Sequence, residues 1–207
     1  MVLLPVEGNR WIVTLIGIGP DIPPVDAEGF EEFARRFPMV DLHDVMDGAE
    51  PLTEPRRFRA PASVRRRYEL LKELPAGYVV MGDALCGFNP VYGQGMTVAA
   101  VEAKVLQACL SESGDDVPRR FYKQAARFID IPWDMATGGD LAFPTTVGKR
   151  TFKIRFLNRY IAKVLRAAEV DTVVSLTFHQ TVNLTSRPER LFAPHMLRRV
   201  LTRRAVS

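Results

Sequence analysis

An α/β fold is what this sequence predicts, and three consecutive stretches predict it. The apolar run "GYVVMG" (77–82) has the unbroken hydrophobicity of a strand buried on both faces, as in a parallel sheet. Directly after it, "GDALCGFNPVYGQGM" (82–96) packs four glycines, one acid and one proline into fifteen positions. Then "QGMTVAAVEAKVLQACL" reads as a helix with apolar residues nearly all round, hence a central and buried one. Glycine gives up extra chain entropy on folding, so a glycine-rich turn between strand and helix implies that something must approach the backbone closely.

The remaining elements follow from local pattern. "VLLPVEGNRWIVTLIGIG" reads as two strands around Glu7-Gly8-Asn9, a hairpin that needs further strands or a helix to pack on. "DAEGFEEFARRF" is a helix with Asp26 as N-cap and Phe30, Phe33, Ala34 and Phe37 on one face. Residues 38–61 are proline-punctuated and read as a loop with a short strand around Arg56 to Arg59. "ASVRRRYELLKEL" predicts a short helix stopped before Pro75. Gly114 ends the apolar helix, and Asp116 with Pro118 opens the next, whose core face carries Phe121, Ala125, Phe128 and Ile129. Pro132 is expected to interrupt it, and "TGGDLAFPTT" to form a loop. Residues 149–168 form an amphipathic helix with Phe152, Phe156, Tyr160 and Val164 on one side. In "DTVVSLTFHQTVNL" Val174, Leu176, Phe178, Val182 and Leu184 alternate as in a strand, while Val174, Phe178 and Val182 also fit a helix. A basic helix over roughly Pro188 to Arg203 closes the chain.

Composition narrows the class. A chain of 207 residues is one large domain, or a domain with an appendage, and 47% hydrophobic with 25% charged residues is globular rather than disordered. Cys86 and Cys109 form no metal spacing and no disulfide framework, so a reducing, cytoplasmic compartment is expected. "MVLLPVEGNR" lacks the features of a signal peptide, and no window has the length of a membrane span. The net charge of +4 is unevenly spread: residues 1–100 carry 10 basic and 14 acidic side chains, residues 101–207 carry 18 and 10. Either an anionic partner or solvated helix faces would account for that.

The turn after "GYVVM" is where the chemistry is expected. In open α/β sheets ligands sit beyond the carboxyl ends of strands. Asp83 at such an end can accept hydrogen bonds from sugar-alcohol hydroxyls. Gly93 and Gly95 let backbone N–H groups approach a flat ring or an anion at the positive end of the helix, and Pro90 offers a rigid apolar contact. The alternative is a purely structural turn, in which Asp83 caps and the glycines only bend.

Gly82-Asp83-Ala84, Asn89-Pro90 and Gly93-Gln94-Gly95-Met96, in that order and spacing, resemble the second flavin-binding motif of the FAD-dependent monooxygenases, the superfamily of aromatic hydroxylases and squalene-type and polyether epoxidases. "LLPVEGNRWIVTLIG", "ELPAGYVVMGDA" and "DLAFPTTVGKR" are similar to a bacterial subgroup of it. The resemblance covers essentially the whole chain but only the C-terminal half of such a protein. It implies the C-terminal portion of a doubly wound, Rossmann-like FAD domain, with part of a substrate-domain β-sheet and a helical tail. In those terms 1–60 is partial substrate-domain sheet with one helix, 61–117 belongs to the FAD domain, and 118–207 is helical. It also implies a helix over 171–185. Asp83 would bond the ribityl chain, Pro90 would lie beside the isoalloxazine, and the backbone of Gly93, Gln94, Gly95 and Met96 would face the ring's pyrimidine edge, with Asn89 in the same motif. The implied activity is epoxidation or hydroxylation of an apolar or aromatic small molecule, with NAD(P)H as reductant and no protein nucleophile.

The family's G-x-G-x-x-G, which holds the FAD pyrophosphate, is not in this sequence: "GIGPDI" has Ile22 at the third glycine, and "GQGMTV" has Val98. A truncated reading frame is the favoured expectation, against one half of a split enzyme completed by a missing N-terminal half, or a non-catalytic remnant that docks a partner.

Other candidates point elsewhere or nowhere. Asp134 and Asp140 read as a cap and a turn acid, and His43, His179 and His195 have no zinc spacing, so no metal is expected. "RRFRAPASVRRRYELLK" interleaves cations with Phe58 and Tyr68, yet its acids and prolines argue against nucleic acid and for a solvated face or a nicotinamide-phosphate contact. Ser63 has no partner histidine, and Cys86 reads as a packing residue. Seven cations lie between Lys149 and Arg166 without one acid. They suit a membrane surface, but the favoured expectation is that Phe152, Phe156 and Tyr160 face the protein's own core.

Overall fold

A computed structural model describes residues 1–37, 40–112, 114 and 116–202, with the side chains of 40–42 left aside. The chain divides into two units, Met1–Arg59 and Ala60–Ser207. The divisions 61–117 and 118–207 of the sequence both fall within the second.

In the first unit, β1 (Val2–Val6) and β2 (Arg10–Thr14) pair antiparallel, Val2 opposite Thr14 and Val6 opposite Arg10. The turn between them puts Gly8 and Asn9 in the left-handed region, φ +76° and +54°, which glycine and asparagine tolerate best. The first helix, α1 (Ala27–Arg35), starts where expected, with the Asp26 carboxylate accepting from the Gly29 N–H at 2.8 Å. Phe33 and Ala34 are its buried residues. Residues 38–61 differ from expectation. A helix, α2 (Val40–Asp47), forms there, tied to α1 by a 3.1 Å contact of His43 Nε2 with the Ala34 carbonyl and by an Arg35–Asp47 ion pair of 3.1 Å. Arg56 to Arg59 form no strand.

In the second unit the sequence signals fail where side chains replace backbone partners. "ASVRRRYELLKEL" is not a helix: Val64–Arg65 is a short strand, β3, and Tyr68–Leu70 a single 3-10 turn. Arg65 is the reason. Its nearly buried guanidinium reaches Asp130 at 2.8 Å, Glu69 at 3.5 Å and the Ala126 carbonyl at 3.3 Å, contacts that hold the segment extended. β3 pairs antiparallel with β4 (Cys86–Gly87). "GYVVM" forms no strand: Gly77 lies in a turn at φ +70°, and among the described residues nothing pairs with Tyr78–Met81 in a sheet. Two donors at its end find side chains instead: Val80 N–H bonds the Tyr122 hydroxyl at 2.8 Å, and the N–H of the following Gly82 bonds the Glu102 carboxylate. The architecture is mixed α and β, rich in helix, with two-stranded antiparallel sheets among the described residues.

Two helices carry the first core. α3 (Gly95–Ser111) buries Val98, Glu102 and Cys109 on one face but leaves Met96 and Leu110 exposed, so it is not buried all round. α4 (Val117–Asp140) is capped by Asp116 and runs straight through Pro132 into "TGGD". A proline inside a helix costs about 3 kcal/mol. Burial of Phe121, Tyr122, Ala125, Ile129, Pro132 and Ala136 along one side of α4 outweighs that penalty.

A second core joins α5 (Phe152–Ala168), α6 (Thr172–Val182) and α7 (Pro194–Thr202) through Tyr160, Val164, Val174, Leu191, Met196 and Val200. α6 resolves the ambiguous segment as a helix. Its N-cap Asp171 accepts from Val173 N–H at 3.0 Å and Val174 N–H at 3.3 Å, and also pairs with Arg199 of α7 at 2.7 Å. The closing basic helix is broken, a 3-10 turn over Pro188–Phe192 preceding α7. Phe152 and Phe156 do not face the core: they are 77% and 55% exposed.

Candidate functional site

The glycine turn is assembled from its ends inward. Gly82 sits at φ +63°, and its N–H is fixed by Glu102, two helical turns into α3. One 3-10 turn, Gly82–Ala84, closes with Leu85 N–H on the Gly82 carbonyl at 2.9 Å. Leu85 and Cys86 then anchor the chain in the core, leaving Asp83 exposed. The acid and the helix start are side by side: Asp83 Oδ1 lies 3.6 Å from the position a Cβ would take on Gly95.

The far end is pinned by polar side chains. Asn89 N–H donates to Ser63 Oγ at 3.0 Å, Asn89 Oδ1 accepts from Val91 N–H at 3.2 Å, and Asn89 Nδ2 donates to Asp140 Oδ1 at 3.2 Å. The Tyr92 hydroxyl donates to the same Asp140 oxygen at 2.9 Å. Pro90–Tyr92 is a 3-10 turn that ends in Gly93 at φ +63°, with open space where a Cβ would be. Gln94 turns inward, is buried, and donates from Nε2 to the Val182 carbonyl of α6 at 3.3 Å.

The start of α3 is left bare by this arrangement. Gln94 makes no side-chain cap and no acid stands in the first turn, so the first N–H groups and the positive end of the helix dipole are available beside Asp83. Exposed Pro90, Gly93 and Met96 complete that outer face. Chemically it offers a carboxylate acceptor for hydroxyls, N–H donors for a partial negative charge, and an apolar edge.

Electrostatics beneath the turn are unusual. Glu102 is fully buried, and burial, opposed by the Gly82 hydrogen bond and reinforced by the neighbouring Asp83 charge, pushes its carboxyl above the ordinary 4.5. Its Oε1 has no hydrogen-bond partner. Burial pushes the Cys86 thiol up to about 12, so it is an inert packing group at neutral pH. Burial and the Asp140 carboxylate raise the Tyr92 phenol.

Of the residues singled out from sequence, Asp83, Pro90, Gly93, Gly95 and Met96 lie along one exposed or half-exposed stretch, whereas Asn89 is bonded to Asp140 and Gln94 is buried, its Nε2 bonded to the Val182 carbonyl and its Oε1 without a hydrogen-bond partner. Asp140, read as a turn acid, holds two side chains of the turn. Glu102 and Tyr92 were not anticipated. A lone acid in phase with Val98 on an apolar helix was the available signal for Glu102. His179 is exposed, its Nδ1 2.8 Å from its own helix's Ser175 carbonyl, and Asp134 is exposed. Among the described residues no group of three histidine, cysteine or acidic side chains is placed to hold a metal, and no helix is long and apolar enough to cross a membrane.

No protein-family profile matches the chain. Over 187 residues, 88% of its length, the chain is 28% identical to Protein Rv3254 of Mycobacterium tuberculosis. The match takes in 40% of that protein, so the chain spans about two fifths of the length of the curated relative it is similar to.

Proposed function

We propose that the turn from Gly82 to Met96 holds the ring and ribityl end of FAD, in an FAD-dependent monooxygenase that epoxidises or hydroxylates an apolar or aromatic small molecule with NAD(P)H as reductant. One observation carries this reading: an exposed carboxylate stands next to an uncapped helix start, Asp83 Oδ1 being 3.6 Å from the Cβ position of Gly95. A planar group with a polyhydroxyl tail and a partial negative charge on one edge fits those donors and acceptors, and the open space at Gly93 leaves its path clear.

Asp83 accepts from the tail's hydroxyls. The N–H groups at the start of α3 face the negative edge, where a helix N-terminus stabilises charge. Pro90 forms an apolar wall. Asn89, Tyr92 and Asp140 hold the turn in place, and Gln94 braces it against α6. When bound, FAD supplies the electron transfer and the oxygen activation; these residues supply its position.

The pyrophosphate-binding glycines are not among these 207 residues. In this reading the first strands of the doubly wound domain come from a preceding half, in one longer polypeptide or a companion chain. The unpaired stretch Tyr78–Met81 fits that, and equally a second reading in which the chain is a non-catalytic module docking a partner by strand addition. Cytoplasmic residence belongs to the same proposal.

Flavin titration of the 207-residue chain tests it. Riboflavin, FMN and FAD should bind with similar, weak dissociation constants of about 0.1 mM or above, because only ring and ribityl are gripped. Asp83→Ala should weaken all three about tenfold. No binding by any of them, or no effect of Asp83→Ala, sinks the flavin site and leaves the docking module. FAD retained through gel filtration would instead show that the pyrophosphate is held within this chain.

A further inference from the structure

The stretch 141–168 contains Lys149, Arg150, Lys153, Arg155, Arg159, Lys163 and Arg166, and no acid. The fold gives this run a polarity that periodicity did not. On its inner side α5 is fastened by Asn158 Nδ2 to the Gly138 carbonyl at 2.9 Å, by the Tyr160 hydroxyl to the Leu191 carbonyl at 2.6 Å, and by buried Val164 and Ala167. On its outer side Phe152, Phe156, Arg159 and Lys163, at i, i+4, i+7 and i+11, share one face, flanked by Arg155 and Arg166.

Arg150 sets the loop before α5. Its guanidinium bonds the carbonyls of Leu141, Phe143, Pro144 and Thr146, at 2.7 to 3.4 Å. This closes residues 141–150 into a fixed loop that leaves Val147 99% and Phe143 38% exposed at the root of the helix. Asp140, at the edge of this region, is engaged by Asn89 and Tyr92. Four large apolar side chains are thus held in water at one end of a helix whose other exposed positions are cationic apart from Ala162 and Leu165.

We propose that the 143–147 loop and the outer face of α5 form a docking surface for an anionic phospholipid membrane, with Phe143, Val147, Phe152 and Phe156 entering the headgroup boundary and Lys149, Arg155, Arg159 and Lys163 meeting the lipid charge. The charge selects the occupant: cations without a single acid over 28 residues complement an anionic sheet, and apolar side chains among them match the acyl edge beneath. A duplex nucleic acid would use the cations but gain little from Val147 and the phenylalanines, while a single strand, whose bases could stack on the phenylalanines, is separated by the competition experiment below. A helix that lies in the interface needs no membrane-spanning length.

Co-sedimentation of the 207-residue chain with two kinds of vesicle decides it: phosphatidylcholine alone, and phosphatidylcholine with about one third phosphatidylglycerol. Binding is expected to the anionic vesicles only and to fall steeply as salt rises. Phe152→Ser with Phe156→Ser should weaken it at least about tenfold, and Arg155→Glu with Arg159→Glu should do the same, both pairs keeping the far-ultraviolet circular dichroism of the parent because all four positions are exposed. Equal binding to neutral vesicles overturns the proposal, as does no binding at low ionic strength. Binding that survives loss of both phenylalanines and is competed by a single-stranded oligonucleotide also overturns it, in favour of a general polyanion patch. Lipid-free self-association abolished by the phenylalanine pair would assign the face to a second copy of the chain.

Discussion

The Tyr92 hydroxyl donates to Asp140 Oδ1 at 2.9 Å, joining residues 48 apart in the chain and locking the glycine turn to the last turn of α4. Gly139 makes room for it, since a Cβ there would stand 2.6 Å from the Tyr92 hydroxyl oxygen. Tyr92→Phe should therefore lower stability by about 1 kcal/mol, the net worth of one hydrogen bond. Gly139→Ala should cost more by forcing the ring away. Because both act on one contact, the double variant should lose less than the sum, which urea denaturation of the four proteins would reveal. Strict additivity would mean that the contact is not made.

Gly95 separates folding from ligand binding. A methyl group there meets only Asp83 Oδ1, at an ordinary 3.6 Å, in a backbone suited to a helix. Gly95→Ala should leave the thermal midpoint unchanged or raise it slightly. The same methyl group fills the space between the carboxylate and the helix start, so flavin binding should fall by about tenfold. Unaltered flavin affinity would place the ligand elsewhere.

Glu102 should make stability depend on pH in the direction opposite to a salt-bridged acid. Its folded pKa is raised above 4.5, so the folded state holds the proton more tightly than the unfolded chain. Its contribution is complete below pH 4.5 and is lost as pH rises through the raised value. Glu102→Gln keeps an acceptor for Gly82 N–H without a titrating proton. The variant should show a flatter stability profile across that window and gain on the parent above it. Equal slopes in denaturation series at several pH values would refute the assignment.

Asp171 titrates with the opposite sign. The hydrogen bond from Arg199 first, then the Val174 and Val173 N–H groups, hold its carboxyl below the ordinary 3.8 against the effect of burial. Its stabilisation is present above pH 3.8 and lost as pH falls through the depressed value. Asp171→Asn, which keeps a capping oxygen but not the charge, should lower the thermal midpoint at pH 7, and the gap from the parent should close in strong acid.

Local pattern was sufficient wherever the deciding interaction is local. The turn joining β1 and β2, the Asp26 and Asp116 caps, and the helices α1, α3 and α5 follow from residues close in the chain, as does the crowding of glycines between Gly82 and Gly95. Pattern failed where a distant side chain took over a backbone role. The Tyr122 hydroxyl takes the Val80 N–H and Glu102 the Gly82 N–H just beyond "GYVVM", roles that a neighbouring strand was expected to fill. Arg65 reaches Asp130 and unmakes the helix expected at 62–74. Burial of one whole side of α4 carries it through Pro132.

The candidate site divides in the same way. By itself the sequence determined which residues form the turn and that Asp83 precedes a glycine-framed helix start, because residue type and spacing are one-dimensional facts. That the acid stands beside Gly95, that Gln94 and Asn89 turn inward, and that Phe152 and Phe156 stand in water were decided by tertiary structure. An amphipathic stripe states only that apolar groups share a face, and packing alone determines whether the rest of the chain covers it.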